Sequence, residues 1–436
     1  MNTTLLAVGL ATVFAGNLLA GETLNLKLVP ERGSYLRQEP DEVVVKIDLS
    51  AINDGKKERR TPLNLAVVLD RSGSMTGAKL EKAKQAAMQL VDHLRSDDVF
   101  SLVTFSDEAR VVVAAQHVED KDRLKDKIES VRADGSTALY AGVESGAEQL
   151  DEFRSSKRIN RVILLSDGLA NVGPSTPRDL RRLGSRLADR EISVTTIGVG
   201  DDYNEDLMAG LAEASDANYY YVKDTEKLPA IFAKELGELQ VVAVRNVRIE
   251  ITCPEGVTPL GFIGRGERFD GRTAVVKLSQ FVPGQDRYLF LRCRVKENQS
   301  DVARVSVRYT DERDGGTTRE TSGTVRINFT DDRSAAEQSV NRAVYAEKEL
   351  MLTAVAKDEA MQQADAGNYA AAAKILARQN ATLNSAAAGA SAAAQSQIRS
   401  ETTYLNDFSN QMDNGTYDGS VRKAMQEQSY NARNSK

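Results

Sequence analysis

Hydrophobic and polar positions divide the chain into successive regimes. Leu24, Leu26 and Leu28 alternate with polar residues, and Val43-Val44-Val45-Lys46-Ile47-Asp48-Leu49 is rich in β-branched side chains. Both patterns predict strands. From residue 63 the pattern changes to strands alternating with helices. Residues 63–69 are apolar except for Asn64, as in a strand buried on both faces. Residues 77–94 then place Leu80, Ala83, Ala87, Leu90, Val91 and Leu94 at helical spacing. Two strands, 99–105 and 109–115, flank a Ser106-Asp107-Glu108 turn; helices are expected at 121–131 and 138–153. Further strands fall at 161–165, 192–199 and 219–222, and further helices at 179–190, 205–214 and 224–240. In the strand 219–222, Tyr219, Tyr220 and Tyr221 would point to alternate faces. Such alternation predicts a doubly wound, mostly parallel sheet with helices on both faces.

Between residues 241 and 328 the helical spacing stops. Short alternating stretches at 244–251, 273–278, 288–295 and 302–309, separated by Gly, Pro and Asp, predict an antiparallel β-sandwich. The strands at 24–49 would complete it. The fold class expected is therefore α/β: a doubly wound sheet inserted in a β-sandwich, plus a C-terminal helical region. The divisions read as an export signal at 1–20, sandwich strands at 21–60 and the α/β domain at 61–240. They continue as the sandwich at 241–330, an Ala-rich helical region at 331–413 and a disordered polar tail at 414–436. Around Gly367-Asn368-Tyr369 the helical region suggests one hairpin, with no repeat period.

The run Leu5 to Ala20 has no charged side chain and is too short to span a bilayer comfortably, which suits a signal peptide. Basic residues before it are missing, and cleavage after Ala15 competes with cleavage after Ala20. A retained or buried helix is the alternative. No other segment is apolar enough to span a membrane, so an exported protein of the periplasm, cell envelope or exterior is expected. Over 436 residues the net charge is −6, which argues against bulk electrostatic binding to nucleic acid. Two histidines, His93 and His117, and two cysteines, Cys253 and Cys293, exclude most zinc sites and His-based triads. The cysteines fall in two predicted sandwich strands; after export a disulfide is favoured over free buried thiols.

Candidate chemistry sits where buried strands end. Leu65-Ala66-Val67-Val68-Leu69 runs into Asp70-Arg71-Ser72-Gly73-Ser74, so an acidic residue and two alternate hydroxyls follow a strand. In an open parallel sheet such an edge is where ligands bind. Asp134-Gly135-Ser136-Thr137 precedes a helix, and Val162-Ile163-Leu164-Leu165-Ser166-Asp167 is a second buried strand ending in Asp. All these donors are hard oxygens, which select Mg²⁺, Mn²⁺ or Ca²⁺. The plain alternative is that the carboxylates cap helices and the serines form a turn.

Asp-x-Ser-x-Ser, then a loop Thr, then a strand-final Asp, in that order, resembles the metal-ion-dependent adhesion site of von Willebrand factor A domains. The resemblance covers roughly residues 62–240 and departs at Ser136, where family members often carry Gly. It implies a divalent cation, with Mg²⁺ first and Mn²⁺ or Ca²⁺ as alternatives. Ser72 and Ser74 would bind it directly, Thr137 directly or through water, and Asp70 and Asp167 would hold coordinated waters or the ion itself. It also implies a protein partner that offers an acidic side chain to the metal, in a non-enzymatic binding module. The whole layout is similar to exported bacterial proteins of this type and to inter-alpha-trypsin inhibitor heavy chains. Two competing functions are a metal-dependent phosphatase-like hydrolase using Asp70, and a scaffold whose metal is purely structural. The first lacks a carboxylate two residues after Asp70, where Ser72 stands. Asp201 and Asp202 follow a predicted strand and read first as caps of the next helix, with enrichment of cations at the metal rim as the alternative.

Overall fold

A computed structural model describes residues 23–37, 42–53, 55, 60–155, 157–296 and 299–434. The expected export signal and most of the charged linker at 53–60 lie outside these residues. The described residues open with sandwich strands β1 (Leu24–Pro30), β2 (Ser34–Leu36) and β3 (Glu42–Ala51). It then leaves for a complete α/β domain. That domain runs β4 (Leu63–Asp70), α1 (Ala78–His93), β5 (Val99–Phe105), β6 (Ala109–His117), α2 (Lys121–Glu129), α3 (Leu139–Asp151) and β7 (Ile159–Ser166). It continues with α4 (Pro177–Asp189), β8 (Ile192–Val199), α5 (Glu205–Ala214), β9 (Tyr219–Val222) and α6 (Leu228–Gln240).

The sheet order is β6-β5-β4-β7-β8-β9, parallel except for β6. Period two explains why the central strands are apolar throughout. Leu63, Leu65, Val67 and Leu69 of β4 face α1 and α6, whereas Ala66 and Val68 face α3 on the other side. The three tyrosines of β9 divide in the same way, Tyr219 and Tyr221 to one face and Tyr220 to the other. α3 lies unusually close to the sheet. A Cβ on Gly146 would fall 2.4 Å from Val68 Cγ2, and one on Gly142 2.6 Å from the Phe105 ring. The absence of side chains at these positions lets the N-terminus of α3, with Thr137 just before it, approach the end of β4.

The sandwich resumes with β10 (Val244–Thr252), β11 (Val257–Phe262), β12 (Thr273–Phe281), β13 (Asp286–Val295), β14 (Asp301–Asp311), β15 (Thr317–Arg326) and β16 (Asn328–Thr330). Its two sheets are ordered β1-β3-β13-β11 and β12-β10-β14-β15; β16 pairs parallel with β2. The α/β domain is thus inserted between β3 and β10, as expected. Sequence patterning passed over β2, β11, β15 and β16. β15 reads Thr-Thr-Arg-Glu-Thr-Ser-Gly-Thr-Val-Arg and lies at a sheet edge, where burial imposes little apolar alternation. Cys253 lies just past β10 and Cys293 in β13, both buried. The expected disulfide is absent: the thiols are free and their sulfurs stand 3.9 Å apart, well beyond a bonded S–S length of about 2.05 Å.

Helices α7 (Arg333–Gln338), α8 (Arg342–Asp365), α9 (Tyr369–Ala386), α10 (Ala392–Asp413) and α11 (Gly419–Asn434) complete the chain. The last of these corrects the expectation of a disordered tail at 414–436. α11 is helical and inserts Met425 and Tyr430 fully into the interior. Its buried face also carries Lys423, Gln426, Ser429 and Asn434, so the apolar stripe that signals a packed helix is diluted by polar residues, of which Lys423, Ser429 and Asn434 find partners. No helix among the described residues is long and apolar enough to cross a membrane.

Candidate functional site

Three loops meet at the C-terminal ends of β4 and β7. β4 pairs with both β5 and β7, so the chain's path reverses on either side of it and leaves a crevice above its end. The loops are tied to one another by backbone hydrogen bonds. Gly73 N–H donates to the Gly135 carbonyl at 3.0 Å, Asp134 N–H to Arg71 at 2.7 Å, and Ala138 N–H to Ser106 at 2.7 Å. Gly135 has φ of 81°, and a Cβ there would strike the Asp107 carboxylate at 2.6 Å, so the turn needs glycine.

The structure brings Asp70, Ser72, Ser74, Thr137 and Asp167 together. Asp70 and Asp167 are fully buried, Ser72 and Thr137 nearly so, and Ser74 is exposed at the surface. Asp70 accepts from the Ser72 N–H at 2.8 Å and from the Ser166 hydroxyl at 2.5 Å. The Ser72 and Ser74 hydroxyls lie 3.0 Å apart, and Ser74 donates to Asp167 Oδ1 at 2.7 Å. Thr137 Oγ1 and Ser74 Oγ both border Gly168: a Cβ built there would lie 3.1 Å from the first and 3.5 Å from the second. The Thr137 N–H is held by the Asn171 side chain at 2.9 Å. Lys79, on the first turns of α1, pairs its ammonium with Asp167 Oδ2. Burial pushes the Asp70 carboxyl up to about 6, against the hydrogen bonds of Ser166 and Ser72, and the neighbouring Asp167 charge adds to the rise.

Two buried carboxylates, three hydroxyls and an opening at Ser74 form an all-oxygen donor set suited to a hard divalent cation. No group of three or more His, Cys, Asp or Glu side chains that could hold a metal occurs among the described residues, so any cation here depends on the hydroxyls. Ser166, Lys79 and Asn171 were missed in the sequence. Ser166 alone left a signal, a polar residue closing a buried strand; the reach of Lys79 and the fold-back of Asn171 are tertiary. Asp201 and Asp202 do not cap α5. Asn204 does so, accepting from Leu207 N–H at 3.1 Å, and Asp201 instead accepts the Tyr221 hydroxyl at 2.5 Å. Leu169, two residues past Asp167, is 58% exposed at the same edge.

A doubly wound sheet inserted in a sandwich, with these loops at its C-terminal edge, is the architecture of an A-type domain. Residues 64–234 match the von Willebrand factor type A domain, and the chain carries a domain of that family. It is 29% identical over 274 residues to an uncharacterised protein of Synechocystis, covering 60% of this chain and 64% of that one. It is 28% identical over 161 residues to human inter-alpha-trypsin inhibitor heavy chain H3, covering 35% of this chain and 18% of the heavy chain. The chain thus spans less than two thirds of the length of these relatives. A solved von Willebrand factor type A protein from Catenulispora acidiphila superposes with a TM-score of 0.71 at 19% identity, covering 88% of this chain and 89% of that one, and shares the fold.

Proposed function

We propose that the chain is a non-enzymatic protein-binding module of the cell envelope or exterior, in which a divalent cation accepts an acidic side chain from a partner. Domains of this family are often metal-dependent interaction modules. The observation that carries the reading here is the convergence of Ser72, Ser74, Thr137, Asp70 and Asp167 at one opening, with the carboxylates buried and a hydroxyl at the surface. Ser72, Ser74 and Thr137 would supply the hydroxyl ligands, with Asp70 and Asp167 behind them. Bound there, the ion supplies an electrophilic position for a partner's carboxylate. Mg²⁺ or Mn²⁺ suits the set best, and Ca²⁺ is the alternative.

A phosphatase-like role for Asp70 fits poorly. Both carboxylate oxygens are engaged, by the Ser72 N–H and the Ser166 hydroxyl, and the side chain has no exposed surface from which to attack a substrate. Mn²⁺ calorimetry tests the proposal. Asp70→Ala and Asp167→Ala are expected to lower affinity at least tenfold while circular dichroism stays unchanged. Equal affinity in wild type and both variants would remove these residues from the site. Chelation that leaves partner binding intact would favour a scaffold with a structural metal.

A further inference from the structure

The C-terminal helix does more than pad the molecule. α11 packs on α8, on α5 and on the edge strand β9, and its first residues reach the start of α5 and Tyr203, in the loop between β8 and α5. That loop, residues 200–204, belongs to the same edge as the candidate metal site: a Cβ on Gly200 would lie 3.6 Å from the Lys79 ammonium, which is itself bound to Asp167. Inside the loop, Tyr203 lays its ring over Gly198 and shares a 2.8 Å hydrogen bond with the Tyr219 hydroxyl.

From the other side α11 closes on these parts. Arg422 reaches Glu205 at 2.6 Å and Asp206 at 2.9 Å, where the loop becomes α5, and Asp365 at 2.8 Å on α8. Lys423, nearly fully buried, pairs with Glu205 at 3.0 Å and stands 4.9 Å over the Tyr203 ring. Glu427 accepts the Tyr221 N–H at 3.0 Å, filling a hydrogen-bond position on the open side of β9. Tyr430, fully buried, donates its hydroxyl to the Ala217 carbonyl and meets Tyr219 edge-on.

We propose that α11 is a clamp on the metal-bearing edge, and that Arg422, Lys423, Glu427 and Tyr430 are positioning residues that fix the loop 200–204 as a wall of the partner-facing rim. The loop's own anchors are Tyr203, the Asn204 cap on α5, the Tyr221–Asp201 hydrogen bond and the Gly200 N–H to Val222 bond of 2.9 Å. The rim's meaning for a partner rests on the metal-site reading above; the clamp itself does not. Whatever loosens α11 therefore loosens the rim, through charges and a tyrosine that reach it from the far end of the chain.

Hydrogen exchange on the full chain tests this. Arg422→Glu sets an acid against Glu205, Asp206 and Asp365; Lys423→Met keeps an apolar stem on Tyr203 and removes the ammonium, and with it both the Glu205 ion pair and the cation–π contact. Exchange at the Gly200 and Leu207 amides is expected to quicken about tenfold in the first variant and about threefold in the second. Sandwich amides should be unchanged, and Asp206→Arg should restore protection in the Arg422→Glu chain. Faster exchange in α11 alone, with the loop unaffected, overturns the proposal. So does a uniform rise across the chain, which would make α11 ordinary core. Mn²⁺ titration of the same wild-type sample reports separately: absence of binding would sink the metal reading and leave the clamp measurement standing.

Discussion

At the scale of single residues, two neighbouring buried carboxylates and one lysine set the chemistry of the edge. Lys79 holds Asp167 Oδ2 while Ser74 holds Oδ1. In the proposed site a divalent ion and the ammonium would compete for the same negative charge, so Lys79 would oppose loading. Lys79→Met is expected to raise Mn²⁺ affinity about tenfold, equivalent to about 1.4 kcal/mol; a titration showing unchanged or weaker binding would remove Lys79 from this role. The Asp-x-Ser-x-Ser segment was legible in the sequence because strand burial, a turn and residue type coincide over five positions. Thr137 and Asp167 were legible for a related reason, since each adjoins an element with clear periodicity. Nothing local announced that the Ser166 hydroxyl would turn onto Asp70, ninety-six positions away in the chain, or that Asn171 would tie down Thr137.

At the scale of elements, legibility followed burial symmetry. Strands of the inserted sheet, buried on both faces, stood out as continuous apolar runs, and helices α1 to α6 as amphipathic stretches. The edge strand β15 and the short β2 and β16 did not, because one exposed face imposes no composition on them. α11 was misread for a different reason. Its contacts with the rest of the chain are as much ionic and hydrogen-bonded as apolar, and Arg422, Lys423, Glu427 and Ser429 all find partners only in the folded molecule. Tyr430 gives that helix its apolar anchor: it belongs to the core beneath α3, α4 and α5. Tyr430→Ala should therefore cost about 3–5 kcal/mol, as for other large buried aromatics. A urea midpoint that does not move would mean that α11 frays in solution. A smaller but sharper test of packing is Gly146→Ala. Its new methyl carbon would fall on Val68, and about 1–3 kcal/mol of destabilisation is expected from overpacking where helix and sheet already touch.

At the scale of the whole molecule, the inserted domain and the sandwich are joined by polar contacts, from exposed to buried, as well as by the chain. Arg161 of β7 reaches Gln280 of β12 at 3.1 Å, and Asn246 of β10 reaches Glu191 at 3.1 Å. The firmest contact is Asp216, in the turn between α5 and β9. It accepts two hydrogen bonds from Arg287 of β13, at 2.5 and 2.9 Å, and another from the Ser279 N–H. Both side chains are nearly fully buried, and Asp216 takes φ of 51°, in the left-handed region. Glu191, Asp216 and Asn246 are the non-glycine residues with positive φ among those described, and all three reach, through their side chains, across the boundary between the domains. Backbone strain is thus concentrated where two independently patterned units must dock, which is why sequence periodicity showed the insertion but not its fixed orientation.

The Asp216–Arg287 contact yields a prediction that separates pairing from mere burial. Arg287→Ala leaves the Asp216 carboxylate buried without the guanidinium, and removing one member of such a pair should cost about 3–5 kcal/mol. Asp216→Asn keeps an oxygen for the Ser279 N–H and a residue type that tolerates the left-handed conformation. Combined with Arg287→Leu, it removes both charges and restores apolar volume, so the double variant should recover most of the stability lost in Arg287→Ala. Calorimetry decides between this and a boundary held by apolar contacts alone. If the boundary depends on the pair, wild type unfolds in one transition, Arg287→Ala separates into two, and the double variant returns towards one. If all three melt alike, the domains are held by packing and connectivity, and the buried ion pair contributes nothing to their docking.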